Sequence, residues 1–386
     1  MQVDRQGSGI EAAGSERPAN SPRVWLLLGE KRGDNAQIVN LADAIGWDYE
    51  VRNVLVKPEW VTGKPRVKPR LDHVDLSRSD PIEGPWPDLV ITAGRRLSCV
   101  ALFIKRASGG STRLVMVGKP RRLLDEFDLI VVGRHYAVSP APNVVFHDLP
   151  LMQVDPVALD AAKSVWQSRL DEMPKPLTAL MVGGPTGGLR FDLDTARDLF
   201  EKTLSSVTES GGSLYITTSR RTPPDIVEML RRDCPSNARL FVFDSDASAS
   251  DNPYHGLLGL ADRFVVTTDS ASMMVEVARL ARTLAIYPLE SETGAFERGL
   301  VALRLVRPLS PRTDPQPGGG LRAHMLYRMG RPIHSRDLSA IPRLLVEKGL
   351  ASWLGDPWVE PGVFEDDELE RIAIRIRALV EAPVGV

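Results

Sequence analysis

Short apolar runs alternate with helical patterns along almost the whole chain. In the first half, residues 24–29, 49–56, 89–92, 114–117, 129–132 and 144–146 read as strands, with helical stretches such as 36–45 and 97–107 between them. In the second half, 177–182, 213–217, 239–243, 264–267 and 283–286 read as strands, and 194–205, 223–232, 254–260 and 272–282 as helices. The strand runs are continuous and rich in β-branched residues, as expected of parallel strands covered on both faces. This alternation predicts an α/β fold with two Rossmann-like domains facing a cleft.

The pattern divides the chain into a disordered lead over 1–21, a first Rossmann-like domain over 22–157 and a second over 177–335, with C-terminal helices over 336–386. Residues 158–176, helical and then punctuated by Pro and Lys, read as the linker. Residues 290–320 break the rhythm with Pro311, Pro315, Pro317 and Gly318 to Gly320, and read as an exposed loop. Near the end, Leu369, Ile372, Ile376 and Leu379 share one helical face. Periodicity leaves open whether that helix crosses back to the first domain or packs on the second.

Composition narrows the class. With 386 residues, 25% charged and 43% hydrophobic, the chain has the make-up of a globular protein of two ordinary domains. A net charge of −2 argues against a broad nucleic-acid-binding surface. Cys99 and Cys234 lie far apart and read as incidental thiols of a reducing compartment. No run approaches the length of a membrane span, and residues 1–20 lack the apolar core of a signal peptide. A cytoplasmic location is expected, with peripheral association at the inner face of a membrane compatible with it.

In open parallel sheets ligands bind beyond the carboxyl ends of the strands, so the loops that follow strands carry the functional reading. The most informative of them is Thr267-Thr268-Asp269-Ser270-Ala271-Ser272-Met273-Met274-Val275-Glu276. It reads as a strand running through a polar turn into a helix, with Asp269, Ser270 and Ser272 supplying cap oxygens. Such a corner offers free N–H groups and a positive dipole end to a phosphate. Glu276, further along the helix, can accept from the vicinal hydroxyls of a sugar.

Three more loops of the second half point to the same edge. Gly183-Gly184-Pro185-Thr186 permits close backbone approach to a bulky anion. Thr218-Ser219-Arg220-Arg221 supplies hydroxyls and guanidiniums for phosphate oxygens. Tyr254 either stacks on a base or belongs to the core and rim. For each of these loops the plain alternative is an ordinary capped turn with solvent-facing side chains. As a set they offer donors for a diphosphate and an acceptor for ribose. No cluster with metal-ligand spacing is present, and no cofactor is implied beyond a nucleoside-diphosphate sugar as substrate.

In the first half, Gly33-Asp34-Asn35-Ala36-Gln37 reads as a sharp turn in which Asp34 or Asn35 caps the following helix. It is neither a dinucleotide fingerprint nor a Walker motif. Gly94-Arg95-Arg96 places two arginines at a helix N-terminus, which is locally unfavourable unless an anion or nearby carboxylates face them. Lys119-Pro120-Arg121-Arg122 and Gly133-Arg134-His135 add positive charge at the same edge. Asp34 and His135 are the candidate catalytic bases, His135 reading also as a structural histidine.

In this order, Gly33 to Gln37, Ala93 to Arg96, Gly183 to Thr186, Thr218 to Pro223, Asp251 to Tyr254 and Thr268 to Met273 resemble the mitochondrial fission ELM (elongated mitochondria) family. Bacterial members of that family are often labelled nucleoside-diphosphate-sugar epimerases. The resemblance covers roughly residues 23–336 and implies a fold similar to GT-B glycosyltransferases. It implies a second domain that binds the nucleotide-sugar, a first that binds the acceptor, and a last helix that crosses back. On it, Glu276 corresponds to the carboxylate that grips the donor ribose, and Gly184 to Thr186 to the diphosphate loop. The chain departs from the family in its first loop, Glu30-Lys31-Arg32-Gly33-Asp34, and in residues 315–320, which look like a local insertion.

The expectation is a metal-independent, GT-B-like glycosyltransferase acting on an envelope glycan or lipid acceptor. Arg220 and Arg221 stabilise the departing diphosphate, Ser270 and Ser272 sit at the phosphate-facing helix end, and Arg95 and Arg96 face the acceptor together with Gly33, Asn35, Gln37 and Gly94. The alternatives are a non-catalytic scaffold and a GT-B-like nucleotide-sugar epimerase. A short-chain epimerase does not fit, because Tyr327-Arg328-Met329-Gly330-Arg331 lacks the lysine of the Tyr-x-x-x-Lys pair.

Overall fold

The computed structural model describes residues 21–61, 67–119, 124–136, 138, 140–186, 189–244, 251–290, 339–362 and 367–381. The first half contains β1 (Val24–Leu28), α1 (Arg32–Ile45), β2 (Tyr49–Asn53), α2 (Pro58–Val61), β3 (Leu89–Ala93), α3 (Arg95–Ala107), β4 (Arg113–Val117), β5 (Leu129–Gly133) and β6 (Val144–His147). Its six strands pair in parallel in the order β2-β1-β3-β4-β5-β6.

The second half contains α4 (Pro156–Leu170), β7 (Leu177–Val182), α5 (Leu193–Ser210), β8 (Ser213–Thr218), α6 (Pro224–Asp233), β9 (Ala238–Phe241), α7 (Tyr254–Leu260), β10 (Arg263–Thr267), α8 (Ala271–Arg279), β11 (Thr283–Tyr287), α9 (Ala340–Glu347) and β12 (Ser352–Trp353). Its strands are also all parallel, in the order β12-β11-β10-β7-β8-β9.

The sequence dictates this arrangement through strands of apolar and small hydroxyl residues. Every residue of β3, β5, β7 and β8 is buried, because helices cover both faces of each sheet. In each sheet the strand order reverses direction once, between β1 and β3 and between β7 and β10. A crevice opens at such a reversal, since the two crossover helices leave on opposite faces.

Several elements differ from the sequence pattern. The second strand stops at Asn53, and the excursion beyond it carries α2 and an isolated antiparallel bridge between Val56 and Val74. The linker segment is mostly helix α4, which joins the second core through Leu159, Trp166 and Leu170. It packs tightly on α7, where a Cβ at Gly256 would lie 2.4 Å from Trp166 Cγ. The two-residue β12 extends the second sheet.

The last described helix, α10 (Glu368–Glu381), returns to the first half. Its Leu369, Ile372, Ala373 and Ile376 complete the core beneath Val24, Leu26, Ile38 and Leu41. Arg377 donates to the carbonyls of Ala44 (3.1 Å) and Ile45 (2.9 Å), which end α1 without intrahelical partners. The two halves also meet at residues 147–152. There Leu149 and Met152 enter the second core and Leu151 the first, while Asp148 pairs with Arg134 at 2.7 Å and Lys348 at 3.8 Å. Residues 1–20 of the proposed lead, 291–320 of the proposed loop, and Pro120, Arg121 and Arg122 lie outside the described residues.

Candidate functional site

The loops after β7, β8 and β10 meet at the reversal point of the second sheet. Thr267, Thr268, Asp269 and Ser270 are all buried at the end of β10. The expected capping role does not occur: Ser270 is the N-cap of α8 but makes no side-chain cap bond. Instead the corner bonds across to its neighbours. Gly184 N–H donates to Asp269 Oδ2 at 3.1 Å, and Gly183 N–H to Thr267 Oγ1 at 3.1 Å. The Thr267 hydroxyl in turn donates to Asp269 Oδ1 at 2.6 Å.

Arg221, after β8, donates to the same Asp269 Oδ2 at 2.6 Å and to Ser270 Oγ at 3.3 Å. Its loop is fastened to β7 by the Thr222 hydroxyl, which donates to Gly183 O at 2.7 Å and accepts from Ser219 N–H at 2.9 Å. Burial pushes the Asp269 carboxyl above the usual carboxylate range, opposed by the Thr267 hydroxyl, Arg221, Gly184 N–H and the Ser270 hydroxyl.

The paired glycines are explained by the chain's own packing. A Cβ at Gly183 would lie 2.1 Å from Asp269 Oδ1, and one at Gly184 2.1 Å from the Arg221 carbonyl oxygen. Pro185 is exposed, and Thr186 is half-buried and bridges to Leu189. Arg220 is exposed, and Thr218 is engaged by Phe243 N–H at 2.8 Å.

Glu276 lies on α8, half-buried, and accepts from the phenol of Tyr254 at the start of α7. Burial pushes both groups up, Tyr254 well above the ordinary phenol range and Glu276 above 4.5; the phenol's hydrogen bond partly restrains Glu276. Ser272 and Met273 occupy the first turn of α8, with Met273 packed against the second core. Ala36 of α1 packs against that same core, so the first turn of α1 abuts the second half.

At the first sheet's reversal point, Gly94 caps α3 with a left-handed φ of +83°, and Asp34 Oδ2 lies 3.7 Å from the position of a Cβ there. Asp34 thus stands beside the β1–β3 crevice, with Lys31 Nζ 3.7 Å away. Asn35 does not cap α1. Its amide accepts from Gly29 N–H at 3.0 Å and donates to Gly29 O at 2.6 Å, pinning the end of β1. Gly33 is the second residue of α1 and not a sharp turn. Gln37 accepts from Leu151 N–H at 3.3 Å, which ties α1 to the connection between the halves.

The two arginines of α3 separate. Arg96 is bound to the carbonyls of Trp60 (2.8 Å) and Val61 (2.6 Å), holding the excursion after β2. Arg95 remains at the strand-end turn. His135 is buried against the Tyr136 ring, with centroids 4.4 Å apart, at the end of β5. That strand is separated from β3 by β4, so His135 does not border the crevice. Burial pushes Lys119, after β4, down to about 8.

The sequence places Thr267 and Thr222 in these loops but assigns neither a role of its own. Their signal is a hydroxyl at the end of an otherwise apolar strand and one preceding Pro223 at a helix start. Among the described residues no group of three His, Cys, Asp or Glu side chains is gathered as a metal site, and no helix is long and apolar enough to cross a membrane.

Two parallel sheets, each with its reversal-point loops at one edge, and a final helix that returns to the first sheet define a two-domain α/β protein of GT-B-like layout. The chain belongs to the family described as Mitochondrial fission ELM1, whose model matches residues 32–322.

The mitochondrial fission protein ELM1 of Arabidopsis thaliana is 28% identical over 235 residues, 55% of this chain and 54% of the plant protein. The chain therefore spans about half the length of that relative. The uncharacterized protein RP120 of Rickettsia prowazekii is 24% identical over 298 residues, 68% of this chain and 82% of its own. Among solved structures, UDP-GlcNAc 2-epimerase from Neisseria meningitidis bound to UDP-GlcNAc is 11% identical with a TM-score of 0.41, covering 84% of this chain and 99% of that one. A UDP-glucosyltransferase from Polygonum tinctorium is 10% identical with a TM-score of 0.43, covering 95% and 100%.

Proposed function

We propose that the second half binds a nucleoside-diphosphate sugar at the ends of β7, β8 and β10, and that the protein transfers the sugar to an envelope glycan or lipid acceptor held at the β1–β3 crevice. The observation that carries this reading is Glu276. It is a half-buried carboxylate on the helix that opens from the strand-end corner, held in place by one phenol and suited to accept from a ribose diol. Arg221 and the dipole of α8 would neutralise the departing diphosphate without a metal. Asp34, beside the opposite crevice, is the better placed of the two candidate bases.

One observation favours a second reading, a non-catalytic adaptor in keeping with the fission role for which the family is named. The N–H groups of Gly183 and Gly184 already bond to Thr267 and Asp269, as expected of a corner kept for its shape.

A thermal-shift panel separates the two. On the transferase reading one of UDP, GDP, ADP, CDP or dTDP raises Tm, with about 2.7 kcal/mol of stabilisation at a hundredfold excess over Kd, and Glu276→Ala abolishes the shift. A panel without any shift removes the transferase reading.

A further inference from the structure

The Gly183 and Gly184 N–H groups are both spent on the protein's own acceptors, which changes the part played by their neighbours. Both N–H groups point into the protein, to Thr267 Oγ1 and Asp269 Oδ2. An ionised carboxylate has about four lone-pair directions. In Asp269, Oδ1 accepts from Thr267, and Oδ2 is shared by Gly184, Arg221 and Ser270. Its side chain is 0% exposed, so the carboxylate is enclosed by the protein's own donors. The Arg221 side chain is 37% exposed, and the same terminal nitrogen spans Asp269 Oδ2 and Ser270 Oγ. The carboxylate is therefore enclosed, while the arginine side chain that it holds keeps more than a third of its surface accessible.

We infer that Asp269 is a positioning residue that acts through Arg221. It holds the guanidinium at the head of α8, where Arg221, and not the N–H groups of Gly183 and Gly184, makes the site's contact with the phosphates of a nucleotide. This rests on the nucleotide-sugar reading above and deepens it. A guanidinium has five donors in a fixed fork, so one edge can stay on Asp269 and Ser270 while another meets a phosphate oxygen. Without its partner the long side chain samples many rotamers, and each ordered contact costs more.

The test uses the full chain and isothermal titration with the tightest-binding nucleoside diphosphate of the panel, compared with its own nucleoside. Arg221→Ala should weaken the diphosphate about tenfold, the scale of one charge-assisted hydrogen bond, and leave the nucleoside unchanged. Asp269→Asn should weaken the diphosphate severalfold, again sparing the nucleoside. The double variant should bind no more weakly than Arg221→Ala alone. Equal losses for diphosphate and nucleoside in Asp269→Asn, or losses that simply add in the double variant, overturn the inference and leave the nucleotide-sugar reading standing. Should Asp269→Asn not fold, Arg221→Lys decides: a lysine that binds the diphosphate as tightly as the parent overturns the positioning role, and a severalfold selective loss supports it. Failure of the unmodified protein to bind any nucleotide of the panel removes both readings together.

Discussion

The Tyr254 phenol donates to Glu276 Oε2 across the gap between α7 and α8, 22 residues apart in sequence. It joins the start of one short helix to the middle of another, at the edge of the proposed donor site. The bond fixes where the carboxylate points, and burial raises the stakes of losing it.

Tyr254→Phe should therefore destabilise the protein by about 1–3 kcal/mol, the usual cost of stranding a buried acceptor. Urea unfolding of parent and variant reads this directly. Equal midpoints would mean that Glu276 finds water or another donor.

Glu276 also sets a pH dependence. Its native value lies above the ordinary 4.5, so between those two values the native state keeps a proton that the unfolded chain has released. Its contribution to stability is complete below 4.5 and is lost as the pH rises through the raised native value. Glu276→Gln should remove that loss, so the stability difference between variant and parent grows in the variant's favour over this window. Denaturant titrations from about pH 4 to pH 7 would show a constant difference if the carboxyl titrates normally.

Two glycines should respond in opposite ways to alanine. Gly184→Ala places a methyl 2.1 Å from the Arg221 carbonyl oxygen, a clash with backbone that should cost about 1–3 kcal/mol. Gly33 has nothing within 4 Å of its Cβ position and lies inside α1, so Gly33→Ala should be neutral or stabilise by about 0.5–1 kcal/mol. Thermal melts of the two variants should move apart. A stabilised Gly184→Ala would show that the β7 and β8 loops separate easily.

Along α10, Ile376 is wholly buried and Ile374 is 56% exposed. Ile376→Ala should cost about 2–5 kcal/mol. Ile374→Ala should stay within about 0.5 kcal/mol. Similar small losses at both positions would mean that the helix does not dock as described.

Much of this was legible in the sequence, for identifiable reasons. β7 and β10 are short, mostly apolar runs whose following segments begin at polar turns, so alternation alone revealed the second sheet. The site was legible as a set of loops but not as a set of contacts. Asp269 looks like a helix cap locally, yet a guanidinium 48 residues away claims it. Asn35 looks like a cap too, and instead bonds both backbone groups of Gly29. Arg96 resembled an acceptor-side cation until the irregular excursion after β2 supplied two carbonyls for it. The two-residue β12 is too short for any periodicity to register. For Asp269 and Arg96 a partner distant in sequence outweighs the local preference, and for Asn35 a nearby backbone segment does.

The return of α10 has a consequence for how the molecule is made. Synthesis proceeds from the N-terminus, and domains generally fold as they emerge. Here the α1 side of the first sheet is closed by Leu369, Ile372, Ala373 and Ile376, which leave the ribosome after both sheets have been translated. The earliest part of the protein to appear is thus among the last to be sealed, and its apolar face waits through the translation of the entire second half. Nascent chains halted before residue 368 should be held by chaperones and cut by proteases within the first half, and extension through α10 should end both.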